Sequence, residues 1–113
     1  MVGMDDVGVA GLSLIDLGTG NDSLFLEMAS ADTAGILDSP STFGGSFTLK
    51  AGDGNDTVSL SNDASAATFA HFGDHVVLVG GTGADTLSTA VENVFELAGN
   101  STDFETRNGP GMP

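Results

Sequence analysis

The chain has 113 residues, of which 40% are hydrophobic, and its formal net charge is −14. This length predicts one domain with a buried core, and the hydrophobic content argues against disorder despite the 17 glycines. The chain has sixteen acidic residues and only two basic ones, Lys50 and Arg107, which disfavours nucleic acid and anionic membranes as partners. The absence of cysteine excludes disulfides and thiolate zinc sites.

The first predicted unit begins near Val9 and reads as a strand, a tight glycine turn and a second strand. Before the turn, Ser13 and Ile15 fall on one face of the predicted strand and Leu14 falls on the other. This alternation is the period-2 pattern of a half-buried strand. A looser turn and a third strand near residues 35–37 complete the unit. The order strand, turn, strand, turn, strand is therefore the predicted building block.

The second and third units begin near Phe43 and Phe72 and repeat the same order. Residues 72–81 correspond to residues 43–52 without a gap, 29 residues later, whereas the first copy lies 34 residues before the second. Their third strands are predicted at 68–70 and 94–97. A repeat near 30 residues is typical of solenoids and arrays. The sequence predicts one domain over residues 1–107 and a flexible tail over residues 108–113.

The predicted fold is all-β, a right-handed parallel β-solenoid of about three and a half coils with ~30 residues per coil. Stacking places equivalent residues about 4.8 Å apart and would form inward ladders. The predicted ladders are Leu24, Val58 and Leu87; Ile15, Leu49 and Leu78; and Val9, Phe43 and Phe72. A β-sandwich built from hairpins is the alternative, because short strands and turns suit it as well.

The three glycine turns share one pattern of residue types. They are Leu17-Gly18-Thr19-Gly20-Asn21-Asp22-Ser23-Leu24-Phe25, Ala51-Gly52-Asp53-Gly54-Asn55-Asp56-Thr57-Val58-Ser59 and Gly80-Gly81-Thr82-Gly83-Ala84-Asp85-Thr86-Leu87-Ser88. Glycine permits positive φ and brings carbonyl oxygens close together, and the Asp that follows adds a carboxylate. Ca²⁺ prefers such hard oxygen donors, whereas Mg²⁺ demands a stricter octahedral geometry.

One turn cannot supply the six to eight oxygens that Ca²⁺ takes, but two stacked turns can. We therefore predict about two calcium ions, one between the turns at 18–22 and 52–56 and one between those at 52–56 and 81–85. Four carboxylates, those of Asp22, Asp53, Asp56 and Asp85, would balance the charge of two divalent cations. The other acidic residues, Asp103 and Glu105 among them, are interpreted as surface charge.

The turns resemble the nonapeptide repeat of the RTX (haemolysin-type) calcium-binding family, Gly-Gly-x-Gly-x-Asp-x-aliphatic-x. The third copy matches every fixed position, and the other two differ only at the first glycine, where Leu17 and Ala51 stand. The resemblance implies calcium held by Asp side chains and by carbonyls of residues 17–20, 51–54 and 80–83. The predicted metal residues are Asp22, Asp56, Asp85, Asp53, Gly18, Thr19, Gly20, Gly52, Gly54, Gly81, Thr82 and Gly83.

Two features limit how far the resemblance applies. Asn21 and Asn55 fall at a variable position of the nonapeptide, so we expect them to form the turn rather than to bind metal. Each nonapeptide also stands alone in a unit of about 30 residues. Metal is therefore expected on one edge of the coil, not on both sides of it.

No group of residues predicts an enzyme. His71 and His75 flank the turn at 72–74, no serine lies in a Gly-x-Ser-x-Gly elbow, and the glycine turns lack the Gly-Lys-Ser/Thr end of a phosphate loop. We predict a calcium-binding structural or adhesion module of a larger bacterial secreted or cell-surface protein. It would be extracellular, without membrane insertion or nucleic-acid binding.

Self-association is expected because a solenoid needs polar caps at its ends and neither 9–17 nor 91–97 leads into an evident one. Bare coil ends expose strand edges, and a second copy would cover them, so a homo-oligomer through ends or edges is predicted. The alternative function is binding of ice or glycan through a face of threonines. Thr48, Thr57, Thr86 and Thr89 are scattered for such a face, which disfavours it.

Overall fold

The computed structural model describes residues 2–4, 8–26, 41–60, 70–89, 94–95 and 100–108. The strands are β1 Val2–Met4, β2 Gly8–Val9, β3 Ser13–Asp16, β4 Ser23–Leu26, β5 Ser41–Phe43, β6 Phe47–Asp53, β7 Thr57–Leu60, β8 Ala70–Phe72, β9 Val76–Thr82, β10 Thr86–Thr89, β11 Val94–Phe95, β12 Asn100–Thr102 and β13 Thr106–Asn108. The described ranges contain no helix, so the fold is all-β there. In this part of the chain no helix is long and apolar enough to cross a bilayer.

The strands form three parallel sheets. Their orders are β1-β4-β7-β10-β13, β11-β8-β5-β2 and β12-β9-β6-β3. Every third strand along the chain joins the same sheet, and each pairing is parallel. A sandwich built from hairpins pairs consecutive strands antiparallel. That alternative is therefore wrong for the described residues.

The pairing register confirms the three ladders expected from the repeat. Leu24 pairs with Val58 and Val58 with Leu87. The other two ladders pair in the same way, Ile15 with Leu49 and Leu78, and Val9 with Phe43 and Phe72. Alternation along each strand decides which side chains turn inward, since β6 and β9 bury every second residue before the turn.

The core is aliphatic along most of the strands that flank the turns, and it is aromatic where the second and third repeats begin, at Phe43 and Phe72. The Phe43 and Phe72 rings stack with centroids 5.3 Å apart, and Phe47 meets them edge-on at 4.8 and 5.1 Å. Phe47, Leu49, Val58 and Leu78 are completely buried. Burying side chains of this size contributes roughly 1.5–3 kcal/mol each, so these ladders hold the coils in register.

The predicted third strands lie only partly within the described residues. β8 covers Ala70–Phe72, and of the predicted segment 68–70 only Ala70 belongs to the described residues. In β5 and β8 the buried phenylalanine and the residue two places before it form one inward face. β11 falls within the predicted 94–97. The predicted strand at 35–37, and residues 109–113 of the predicted tail, lie outside the described residues.

The C-terminal end carries a polar cap that the sequence analysis missed. Ser101 pairs with Leu78 and Arg107 with Leu87, so two aliphatic ladders end in polar residues. The Arg107 guanidinium donates to the Ser101 hydroxyl at 2.6 Å and to its carbonyl at 2.8 Å. Phe104 closes the core beside them. Solenoid-like stacks need such an end to stay soluble, so the expectation of two uncapped ends is wrong at this end.

Candidate metal centre

The three glycine turns lie directly over one another. The β6–β9 pairing continues through the turn, with Gly52 opposite Gly81 and Asp53 opposite Thr82, and Thr19 bridges to Asp53. The amide of Gly20 donates to the Asp53 carbonyl and that of Gly54 to the Thr82 carbonyl, both at 2.8 Å. Equivalent turn atoms of neighbouring repeats are therefore neighbours in space.

Glycine is required in these turns for two reasons. All six predicted turn glycines have positive φ, between 95° at Gly18 and 142° at Gly54. In the second and third turns a side chain would also collide with the turn before. A Cβ on Gly54 would lie 1.8 Å from the Gly20 carbonyl oxygen, and one on Gly83 would lie 1.7 Å from that of Gly54. The backbone of each of these two turns thus lies close against a carbonyl oxygen of the turn before it.

The predicted aspartates form a continuous column behind the glycines. The Asp22 amide donates to Asp56 Oδ1 at 2.7 Å, and the Asp56 amide donates to Asp85 Oδ1 at 2.8 Å. The carbonyls of Asp22 and Asp56 accept from Thr57 and Thr86, at 2.9 and 2.8 Å. Hydrogen bonds of both the backbone and the aspartate side chains therefore join successive turns.

The second carboxylate oxygen of each column aspartate is buried without a partner. Oδ2 of Asp22, Asp56 and Asp85 has no hydrogen-bond partner among the described residues. Asp56 is 1% exposed and Asp85 is 0% exposed, so water does not reach them freely. A buried, unpaired charged oxygen costs more free energy than a lost neutral hydrogen bond. Three such atoms in one column indicate a missing positive partner.

The electrostatics of the column point the same way. At the strand spacing of about 4.8 Å and an effective dielectric constant of about 20, neighbouring carboxylates repel by about 3.5 kcal/mol. Burial raises the pKa of Asp85 above its usual range, the hydrogen bond from the Asp56 amide lowers it, and the charges of Asp56, Glu105 and Asp103 raise it further. The surroundings of Asp85 therefore oppose its negative charge.

The asparagines of the turns form a second, exposed column. The Asn55 amide donates to Asn21 Oδ1 and the Ala84 amide donates to Asn55 Oδ1, both at 2.9 Å. These side chains satisfy the backbone donors of the next turn, which is the role that asparagine commonly takes in turns. Their oxygens are occupied by backbone partners, consistent with a turn-forming role.

Asp53 stands apart from the aspartate column. It is exposed, as are Thr19 and Thr82, and its Oδ1 accepts a hydrogen bond from the Thr82 hydroxyl at 2.9 Å. The structure therefore brings Asp22, Asp56 and Asp85 together but leaves Asp53 on the outer surface of the turn. The predicted contribution of Thr19 and Thr82 to metal binding is through their backbone carbonyls, which lie in the stacked turns.

A fourth acidic residue continues the column and was missed in the sequence. The Asp85 amide donates to Glu105 Oε2 at 2.8 Å, as Asp56 donates to Asp85. Glu105 precedes Thr106, whose amide donates to the Asp85 carbonyl at 3.0 Å. The signal was the acidic residue followed by a hydroxyl residue, which also occurs at Asp22, Asp56 and Asp85. The missing glycines concealed it.

The donor set of the column fits a hard cation such as Ca²⁺. Within the described residues no group of three or more His, Cys, Asp or Glu side chains is placed so that it could hold a metal ion. The turns instead bring together aspartate oxygens that have no partner and backbone carbonyls of the neighbouring turn, and Ca²⁺ binds both kinds of oxygen. Calcium sites commonly mix these two oxygen types, so the residues present are compatible with the predicted ion.

The chain matches no protein-family model, and searches of curated proteins and of solved structures likewise gave no match. The resemblance to the RTX repeat is accordingly carried by the turn residues alone.

Proposed function

We propose that the chain is a right-handed parallel β-solenoid of about three and a half coils with ~30 residues per coil. The support is that every third strand returns to the same sheet, in parallel register, throughout the described ranges. In a solenoid each coil contacts its neighbours only, so whatever joins adjacent turns stabilises the whole stack.

We further propose that this solenoid is a calcium-binding structural module, related to the RTX repeat. The observation that carries the proposal is the column of buried, unpartnered Oδ2 atoms of Asp22, Asp56 and Asp85. These carboxylates, with carbonyls of the glycine turns, would hold about two ions between successive turns. The bound cations would supply the positive charge that the column lacks, and the turns would hold the coils together around them.

The biological role that follows is mechanical. A stack with a net charge of −14 repels itself until cations neutralise it, and extracellular calcium-binding modules bind the ion with Kd of about 10⁻⁴–10⁻³ M. We propose a stiffening or adhesion element of a larger bacterial secreted or cell-surface protein, which self-associates through an exposed coil end. It would have no enzymatic activity and would contact neither nucleic acid nor the membrane interior.

The test compares circular dichroism in chelator with that in millimolar calcium. Binding to the folded state alone stabilises it by about 2.7 kcal/mol per site when free calcium is 100 times Kd. We expect a largely unfolded spectrum in chelator and a β-type spectrum in calcium, with magnesium at the same ionic strength as control. Identical spectra in the three buffers would contradict the proposal.

One observation favours the alternative of an ice- or glycan-binding face. Ser23, Thr57, Thr86 and Thr106 pair in register and form a column of hydroxyl residues on one sheet. The column is only one residue wide, because Thr48 lies in another sheet and Thr89 is buried. Ice shaping or glycan retention without any calcium dependence would favour this function over the calcium module.

A further inference from the structure

The end of the aspartate column differs from the two gaps between glycine turns. Thr102 pairs with Val79 and Thr106 with Thr86. Residues 103–105 therefore connect the same two sheets as residues 80–85 do in the third turn. This short loop contains no glycine. Asp103 takes the left-handed conformation instead, with φ of 60°. Non-glycine residues adopt it rarely, Asp more readily than most, so the loop is held there by its surroundings.

Two oxygens border the space beside Gly80. A Cβ on Gly80 would lie 2.0 Å from the Asp103 carbonyl oxygen and 2.9 Å from Asp85 Oδ2. Asp85 is 0% exposed and this oxygen has no partner among the described residues. Leu17 and Ala51 occupy the same position in the other turns and carry a Cβ. The absence of a side chain at Gly80 thus lets the Asp103 carbonyl oxygen and Asp85 Oδ2 approach the same point beside the third turn, which a Cβ there would block.

The charge around this space is negative. The Glu105 carboxylate of the short loop lies against Asp85, whose amide donates to Glu105 Oε2 at 2.8 Å. The charges of Asp56, Glu105 and Asp103 all act on Asp85 and raise its pKa. The guanidinium of Arg107, the only arginine, is directed to Ser101. No protein cation among the described residues pairs with these acids.

We propose that a third divalent cation, of the calcium class, binds between the third turn and the loop at 103–105. Its donors are Asp85 Oδ2, the Asp103 carbonyl and the Glu105 carboxylate. The site lies beyond the two gaps of the proposed function and uses a residue, Glu105, that neither gap contains. It would fix the last coil onto the stack and complete the end that Ser101 and Arg107 cap.

The experiment counts calcium ions bound by the full chain, using equilibrium dialysis with calcium alone. Glu105→Gln removes the charge but keeps an oxygen for the Asp85 amide, so the fold is preserved. We expect the count to fall by one ion per chain. Gly80→Ala places a methyl group where the Asp103 carbonyl oxygen lies, displaces that donor and should lose the same ion. Asp16→Asn removes an exposed charge of β3 and should leave the count unchanged.

Asp56→Asn separates this proposal from the proposed function, because Asp56 serves the gaps between the glycine turns. If Glu105→Gln binds as many ions as the unaltered chain while Asp56→Asn binds fewer, the third site is refuted and the two-gap proposal stands. If Glu105→Gln loses an ion and Asp56→Asn loses none, the third site stands and the two-gap proposal is refuted. An unaltered chain that binds no calcium overturns both.

Discussion

Asp56 is the residue on which the column depends most. Its Oδ1 accepts the Asp22 amide, and its own amide donates to Asp85. Hydrogen bonds to charged groups contribute about 1.5–3 kcal/mol. We therefore expect Asp56→Ala to lower the free energy of unfolding in calcium by about 2 kcal/mol or more, measured by urea denaturation.

Asp22→Ala is the matched comparison for Asp56→Ala. Asp22 begins the column, and no described residue of an earlier turn donates to it as Asp22 donates to Asp56. The loss should therefore be smaller than for Asp56→Ala. Equal losses in the two variants would show that the middle turn is not shared between two sites.

Asp85 makes the metal-free chain sensitive to pH. Burial raises the pKa of its carboxyl, and its acidic neighbours raise it further. A raised pKa means that the folded state binds the proton more tightly than the unfolded state does. Folding is then favoured below the unfolded value of about 3.9, and that advantage is lost as pH rises through the folded pKa.

In chelator, we accordingly expect the β-type circular dichroism signal to be small at neutral pH and to grow as pH is lowered towards 4. Asp85→Asn should flatten this profile, and Asp74→Asn, which lies outside the column, should leave it unchanged. The measurement is circular dichroism across this pH range at constant ionic strength. A profile of the same slope in Asp85→Asn would show that general charge repulsion, not Asp85, sets the dependence.

At the scale of the turn, glycine serves both conformation and packing, and two positions separate these effects. Gly20 and Gly54 both have positive φ, of 118° and 142°. A Cβ on Gly20 would meet nothing within 4 Å, whereas one on Gly54 would lie 1.8 Å from the Gly20 carbonyl. Gly20→Ala therefore reports conformational strain alone, which costs about 1–2 kcal/mol.

We expect Gly54→Ala to destabilise the chain clearly more than Gly20→Ala, because the coils must move apart to admit the methyl group. The measurement is thermal unfolding of both variants in calcium. Similar midpoints would mean that the turns do not pack as closely as the structure indicates.

The turns and strands that flank them could be predicted because two signals agree there. Alternation of side chains sets which face of a strand is buried, and the repeated Gly-x-Gly-x-Asp sets which residues pair, as with Leu49 and Leu78. The register of the sheets followed from these signals. The aspartate column followed as well, except that Asp53 was placed with Asp56 although its carboxylate faces outward.

The remaining elements lacked one of these signals. Phe43 and Phe72 belong to very short strands, whose few residues show too little alternation to fix their limits. The fourth turn is shorter and has no glycine, because Asp103 provides the left-handed residue. Its acid is Glu105, whose longer side chain reaches Asp85 from a shorter loop. The sequence alone could not show that the longer side chain of Glu105 compensates for the shorter loop.

For the whole molecule, the two ends of the stack are unlike. Ser101 and Arg107 cap the C-terminal end. At the other end β3 is the edge of its sheet among the described strands, and Leu12 and Leu14 are 74% and 65% exposed. An exposed edge strand with apolar side chains favours pairing with another chain. Self-association is therefore expected between N-terminal ends, as an isologous contact of two copies.

Leu14→Lys tests this arrangement because a charge on an edge strand opposes pairing. We expect the unaltered chain to sediment as a dimer in calcium and Leu14→Lys as a monomer with the same β-type spectrum. Val77→Lys is the control, since Val77 lies on the same face of that sheet in β9, which has neighbours on both sides. It should leave the dimer intact. If instead Leu14→Lys remains a dimer and Val77→Lys becomes a monomer, the two copies meet through the face of the sheet. The N-terminal edge would then take no part in the dimer.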